Sequence, residues 1–195
     1  MAITSGYATL AEYKAWRTIA SSDATDDTVI EQCIEAASRY IDNETGRTFY
    51  ARTDTRYYDV PSGRTLKLDD DLLTITTLTN GTDVEIADTE YNLWPKNHPP
   101  YSEIKLKASS AVIWQTDSSG DIEAVIDVLG TWGYVATAPH DIRQVCLMIA
   151  QNMDARRSGE NVSSTVKVTS FGVVVTPTDI PGIAAQVFRK YKRML

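Results

Sequence analysis

The chain has 195 residues, of which 43% are apolar and 23% are charged, and its formal net charge at pH 7 is −7. This composition predicts a globular protein with a packed interior, and the acidic balance argues against broad binding to nucleic-acid backbone or anionic membrane. The N-terminus MAITSGYATL lacks the pattern of a signal peptide and no window approaches the roughly 18 apolar residues of a membrane span, so we expect neither standard export nor insertion.

Two helices are predicted in the first 50 residues. Leu10, Tyr13 and Trp16 recur at three-residue spacing after Thr9, which predicts a short helix near 9–18 with Thr9 as its N-cap. A longer helix is predicted near 26–45, ending at Gly46. Its apolar stripe contains Val29, Ile30, Cys33, Ile34, Ala37, Tyr40 and Ile41.

The hydrophobic period then changes to one typical of strands. FYARTDTRYYDV is rich in aromatic and β-branched residues, and Asn80-Gly81 is a strong hairpin signal. Further β candidates are RTLKL, LLTITTLTN, DVEIA, YNLWP, EIKLK, AVIWQ and IEAVIDVLG. This pattern predicts a compact antiparallel β-rich subdomain at 51–129, inserted between helices.

The third helix has the clearest pattern in the chain. It is predicted at 139–157, with Pro139 in its first turn, and we expect it to pack against the helix near 26–45. Its stripe contains Ile142, Val145, Cys146, Ile149, Ala150 and Met153.

The C-terminal region predicts a hairpin near 162–177, from SSTVKVTSFGVVVTP, and a helix near 180–194. That helix combines an apolar stripe of Ile183, Ala184, Val187, Phe188 and Tyr191 with the basic residues Arg189, Lys190, Lys192 and Arg193. The predicted fold class is therefore α+β. Segments 1–50 and 130–195 would form an α-helical bundle carrying the inserted antiparallel β unit and the C-terminal hairpin plus helix.

No catalytic or metal site is predicted. The only cysteines, Cys33 and Cys146, lie on helical stripes, and together with His98 and His140 they lack metal-ligand spacing. The run 69–71 of three aspartates is interpreted as a solvated turn, because consecutive carboxylates on an extended chain point to different sides. We therefore expect a protein that is not an enzyme and needs no cofactor.

Two features leave more than one interpretation open. The basic RKYKR end could bind nucleic-acid phosphates, complement the helix dipole, or form a docking helix that meets an acidic partner. Trp94, Trp114 and Trp132 are interpreted as core or strand-edge aromatics rather than a sugar-stacking platform.

Several segments along nearly the whole chain resemble the head-tail connector (adaptor) proteins of tailed bacteriophages. The segment TVIEQCIEAASRYIDNETGRTF is similar to the second helix of that family and its Thr-Gly-Arg-x-Phe exit, and GTWGY followed by a proline turn and Asp-Ile resembles the entry to the next helix. TRYYDV, LKLDDDLLTITTLTNG and YNLWPKNHPPYSEIKL resemble the β portion of longer members. The region after Arg157 matches only loosely.

This resemblance implies a structural virion protein, made in the host cytoplasm and located in the neck, at the head-tail interface. Such adaptors form a ring, usually of twelve subunits, between the portal protein and a stopper or tail-completion protein. Double-stranded DNA passes through the lumen without sequence-specific binding, which an acidic lumen would favour. The C-terminal helix is the expected portal-binding element, through Ile183, Val187, Phe188, Arg189, Lys190, Tyr191, Lys192 and Arg193. The alternative is a ligand- or glycan-binding β module that uses the tryptophans.

Overall fold

The structure is a computed structural model that describes residues 3–81, 83–157, 164–169, 172–177 and 182–193. The chain divides into two compact units. The helical unit comprises Met1–Arg47 and Ala138–Leu195, and the β unit comprises Thr48–Thr137. Because helices and an antiparallel sheet occupy separate units, the fold is α+β, as predicted.

The helical unit contains α1 (Leu10–Trp16), α2 (Asp27–Thr45), α3 (His140–Arg157) and α4 (Gly182–Tyr191). The start of α1 at Thr9 is confirmed by a capping box. In it the Glu12 N–H donates to Thr9 Oγ1 over 3.2 Å and the Thr9 N–H donates to Glu12 Oε2 over 2.8 Å. Gly46, at φ +65°, supplies the left-handed residue that ends α2.

The apolar stripes of α2 and α3 pack against each other, as their sequences predict. Ser38 Oγ lies 3.4 Å from Cys146 Sγ, which is 3.7 Å from the Ile34 carbonyl oxygen. Cys146 is buried, whereas Cys33 is partly exposed. The buried apolar residues on these two helices are Ile30, Ile34, Ala37, Ile41, Ile142, Val145, Cys146, Leu147, Ile149, Ala150 and Ala155.

The β unit is a five-stranded sheet of β1 (Arg52–Tyr58), β2 (Thr65–Thr79), β3 (Tyr91–Trp94), β4 (Tyr101–Leu106) and β5 (Ile126–Trp132). The order is β1-β5-β2-β4-β3, and every neighbouring pair is antiparallel. The first half of β2 pairs with β4 and the second half with β5. One face carries the apolar core, whose fully buried members include Leu72, Leu78, Ile104, Ile126, Val128 and Trp132.

The interpretation of 69–71 as a solvated turn is wrong. RTLKL and LLTITTLTN form the single strand β2, which runs through the three aspartates with an irregular register between Lys67 and Leu72. Asp71 is only 3% exposed, and Arg56 binds both Asp69 and Asp70, at 3.1 and 2.7 Å. Asp69 remains exposed to solvent, whereas the Asp70 side chain, which the local sequence would also place in solvent, is only 14% exposed and is bound by an arginine two strands away.

Two other predicted strands are also absent from the sheet. DVEIA contributes a single isolated bridge, between Glu85 and Thr79, and AVIWQ has no strand pairing. The Asn80 side chain replaces such pairing, because its Nδ2 donates to the Ile113 carbonyl over 2.8 Å and its Oδ1 accepts from the Gln115 N–H over 2.9 Å. β-Branched composition alone does not distinguish this arrangement from a strand.

In the C-terminal region β6 (Ser164–Thr169) pairs antiparallel with β7 (Gly172–Pro177), as the hairpin predicted near 162–177 requires. Positions 162, 163, 170 and 171 of that hairpin, and positions 180, 181 and 194 of the predicted last helix, lie outside the described residues. None of the described helices is both long and apolar enough to cross a membrane.

Candidate interaction site

Helix α4 is the predicted binding element, and its apolar face is directed into the helical unit. Ala184, Phe188 and Tyr191 are buried, with 0%, 6% and 8% exposure. Their spacing of four and three residues places them on one side of the helix. The Phe188 ring lies 6.2 Å from the ring of Tyr40 on α2, centroid to centroid.

The end of α4 is attached to the start of α3 through one carboxylate. Tyr191 Oη donates to Asp141 Oδ1 over 2.9 Å, and Lys190 Nζ lies 2.7 Å from Asp141 Oδ2. Burial raises the pKa of Asp141, but hydrogen bonds from Lys190, Tyr191 and the Ile142 N–H outweigh that effect, so its pKa lies below the ordinary value. Asp141 is therefore ionised at neutral pH and binds both partners.

Hydrogen bonds to backbone carbonyls add a second attachment, between the end of α4 and the end of α2. Arg47 Nε donates to the Tyr191 carbonyl over 2.8 Å, and the Arg193 N–H donates to the Thr45 carbonyl over 2.9 Å. These bonds occupy carbonyl oxygens that the last turns of both helices leave without intrahelical donors. Together with the Asp141 contacts, they fix where α4 ends.

This packing covers two of the residues that are expected to contact the portal. Phe188 and Tyr191 are buried within their own chain, so they are unavailable to another protein in this conformation. An amphipathic helix packs its stripe on the nearest core, and α2 and α3 provide that core. Of the eight predicted contact residues, Ile183, Arg189, Lys190 and Lys192 are exposed, and Val187 and Arg193 are partly exposed.

Trp94, Trp114 and Trp132 do not form a sugar platform. Trp132 is fully buried and Trp114 is 8% exposed, whereas Trp94 is 49% exposed on the edge strand β3. Lys105 Nζ lies 4.5 Å from the centre of the Trp94 ring. These positions agree with the prediction of core and strand-edge aromatics, and they disfavour the alternative of a glycan-binding module.

The cysteine, histidine and acidic side chains are the other candidates for a functional site. Among the residues that the structure describes, no three His, Cys, Asp or Glu side chains are arranged to hold a metal ion. The buried Cys146 thiol has a pKa raised by burial, which disfavours a reactive thiolate. Two of the three aspartates of β2, Asp69 and Asp70, bind arginines in the sheet.

No protein-family model matches the chain, and no curated protein matches it in sequence. Its fold is nevertheless found in solved structures. One is the neck of an empty GTA particle computed with C6 symmetry, with a TM-score of 0.62 and 17% identity over 100% of this chain and 95% of that chain. Another is the virion of a native gene transfer agent (GTA) particle, with a TM-score of 0.56 and 16% identity. The match covers 95% of this chain and 90% of the chain in that structure. This likeness of fold agrees with the resemblance seen in the sequence.

Proposed function

We propose that this chain is a structural virion protein of the head-tail connector (adaptor) class, located in the neck of a phage-like particle. The observation that carries the proposal is the shared fold with a particle neck over nearly the full length of both chains. A likeness over that length includes both the helical unit and the β unit. The segments ETGRTF and GTWGY support the same class through an independent feature, the sequence itself.

The proposed assembly is a homo-oligomeric ring below the portal, made of a helical bundle with its inserted β unit. The related neck was computed with C6 symmetry, and a ring of twelve copies satisfies sixfold symmetry with two copies in each repeat. Mass measurement and class averages of the assembled ring test this stoichiometry. We expect twelve copies, and one or two copies per neck would contradict a ring.

In this ring we propose that α4 contacts the portal, while another surface contacts the stopper or tail-completion protein. The exposed residues Ile183, Arg189 and Lys192 combine an apolar side chain with two cations, which suits an acidic groove with an apolar centre. Duplex DNA would pass through the lumen without sequence-specific contacts. The net charge of −7 supports passage, since a strongly basic lumen would retain the duplex.

The portal contact is tested with Arg189→Glu/Lys192→Glu, alone and with Ile183→Ser. These side chains are exposed, so circular dichroism should match that of the unmodified protein, while occupancy on portal-containing heads should fall about tenfold or more. Lys67→Glu/Lys96→Glu, which reverses two exposed cations of the β unit, is the matched control and should leave occupancy unchanged. If the α4 variants also join heads normally, docking belongs elsewhere, with the β6 and β7 segment as the next candidate.

A further inference from the structure

The β unit has three acidic segments, 57–63, 79–87 and 109–127. They contain no Lys, Arg or His, and their seven acidic residues are Asp59, Asp83, Glu85, Asp117, Asp121, Glu123 and Asp127. The second segment continues without basic residues to 95, which adds Asp88 and Glu90. The net charge of −7 belongs to the β unit as a whole, which has 14 acidic and seven basic residues.

Hydrogen bonds hold the three segments together at one end of the sheet, where β1 and β2 end and β5 begins. The Val60 N–H donates to the Ile122 carbonyl over 2.9 Å, which joins the first segment to the third. The Asn80 side chain donates to the Ile113 carbonyl over 2.8 Å, which joins the second to the third. We call this surface the acidic end.

The acidic end also carries exposed apolar side chains. Four of the seven large apolar side chains that are exposed in the described part of the chain lie here: Tyr57 at 62%, Val84 at 60%, Ile113 at 58% and Ile122 at 48%. In the β1–β5 register Tyr57 is directly opposite Asp127, so a large apolar side chain and a carboxylate share one face of the sheet. Exposed apolar residues close to carboxylates are typical of protein-binding surfaces.

Two carboxylates at this surface, those of Asp83 and Asp127, repel each other. Burial raises the pKa of Asp127, and the neighbouring charge of Asp83 raises it further. A cation placed between them would reduce both the repulsion and the cost of burying Asp127.

We propose that the acidic end binds a segment of another protein that combines lysine or arginine with apolar side chains. Seven carboxylates repel DNA and anionic membranes, which excludes those partners. A second copy offers the exposed cations Arg189 and Lys192 near the end of α4, and the self-association measurement below distinguishes that occupant from a segment of another protein. This inference rests on charge and exposure and does not depend on the proposed function.

The purified full-length protein can be titrated against a fluorescein-labelled peptide of repeated Lys-Leu-Ser, with Lys-Ser-Ser and Glu-Leu-Ser peptides for comparison. We expect saturable binding of the first peptide that weakens with salt, at least tenfold weaker binding of the second, and none of the third. Tyr57→Ser/Ile113→Ser and Asp83→Asn/Asp127→Asn should each weaken binding about tenfold.

Matched controls change the same residue types on the helical unit, as Ile183→Ser and Asp26→Asn/Glu44→Gln, and should leave the affinity unchanged. Three results would overturn the proposal. The first is equal binding by the two sets of variants. The second is equal affinity for the Lys-Ser-Ser peptide, which would mean attraction by charge alone. The third is concentration-dependent self-association that the acidic-end variants abolish, which would identify a second copy as the occupant.

Discussion

The two units of this molecule place their charged groups differently with respect to their cores. The contact between α2 and α3 is mainly apolar, with Ser38 and Cys146 as small, mutually bonded polar groups. A buried cation of the helical unit, Lys14 on α1, pairs with Asp27 at the start of α2. In the β unit an arginine is packed on a core aromatic, since the Arg56 guanidinium carbon lies 4.6 Å from the centre of the Trp132 ring while its nitrogens bind Asp69 and Asp70. Apolar periodicity therefore describes the pairing of α2 with α3 well, whereas the β unit depends on specific ion pairs between strands.

The largest expected effect tests the apolar interior. Cys146→Asp places a carboxylate without a cation at a position with 0% exposure, and should lower the free energy of unfolding by an amount on the order of 3 kcal/mol or more. Urea unfolding followed by circular dichroism measures this loss. Ala36→Asp, on the exposed side of α2, is the control and should lower the free energy of unfolding by less than about 1 kcal/mol. Equal stability of the two variants would refute the core assignment.

A smaller effect is expected from the ion pairs of the β unit. Arg56→Met retains much of the side-chain volume beside Trp132 but removes the guanidinium that binds Asp69 and Asp70. Since Arg56 and Asp70 are only 15% and 14% exposed, we expect a loss of about 2 kcal/mol, measured by urea unfolding followed by tryptophan fluorescence.

A compensating variant separates charge from packing. In Arg56→Met/Asp69→Asn/Asp70→Asn the carboxylates are neutral, and we expect recovery of at least half of the loss. If the triple variant is no more stable than Arg56→Met, the cost arises from packing on Trp132 rather than from uncompensated charge.

The same contrast explains what the sequence could predict. The positions of all four helices and the pairing of α2 with α3 follow from residues three and four apart, a local pattern with clear ends at Thr9 and Gly46. The aspartates of β2 were misinterpreted because their partner Arg56 lies on another strand and is joined to them only through the fold. A local pattern contains no information about such contacts.

The candidate site has the same limitation. The sequence predicts an amphipathic α4 with basic residues, but not which side its stripe contacts, because α2 and α3 are distant in the chain. The attachment of Tyr191 and Lys190 to Asp141 had no local signal. The acidic end, by contrast, has a signal in the local sequence, since residues 109–127 contain no basic residue.

The smallest expected effect concerns pH and the attachment of α4. The folded-state pKa of Asp141 is below its ordinary value, so its contribution to stability is fully present above the unfolded-state pKa, which is about 3.9 for aspartate. It is lost as the pH falls through the folded-state pKa, when protonation weakens the bonds to Lys190 and Tyr191. The α4 amides should therefore exchange slowly at neutral pH, after correction for the intrinsic pH dependence of exchange, and should lose part of their protection below about pH 4.

Asp141→Asn should remove this pH dependence of protection. Tyr191→Phe should lower the free energy of unfolding by about 1 kcal/mol at neutral pH. Because the pair between Lys190 and Asp141 remains, this variant should keep part of the acid sensitivity. A protection profile of Asp141→Asn with the same acid transition as the unmodified protein would mean that another carboxylate holds α4.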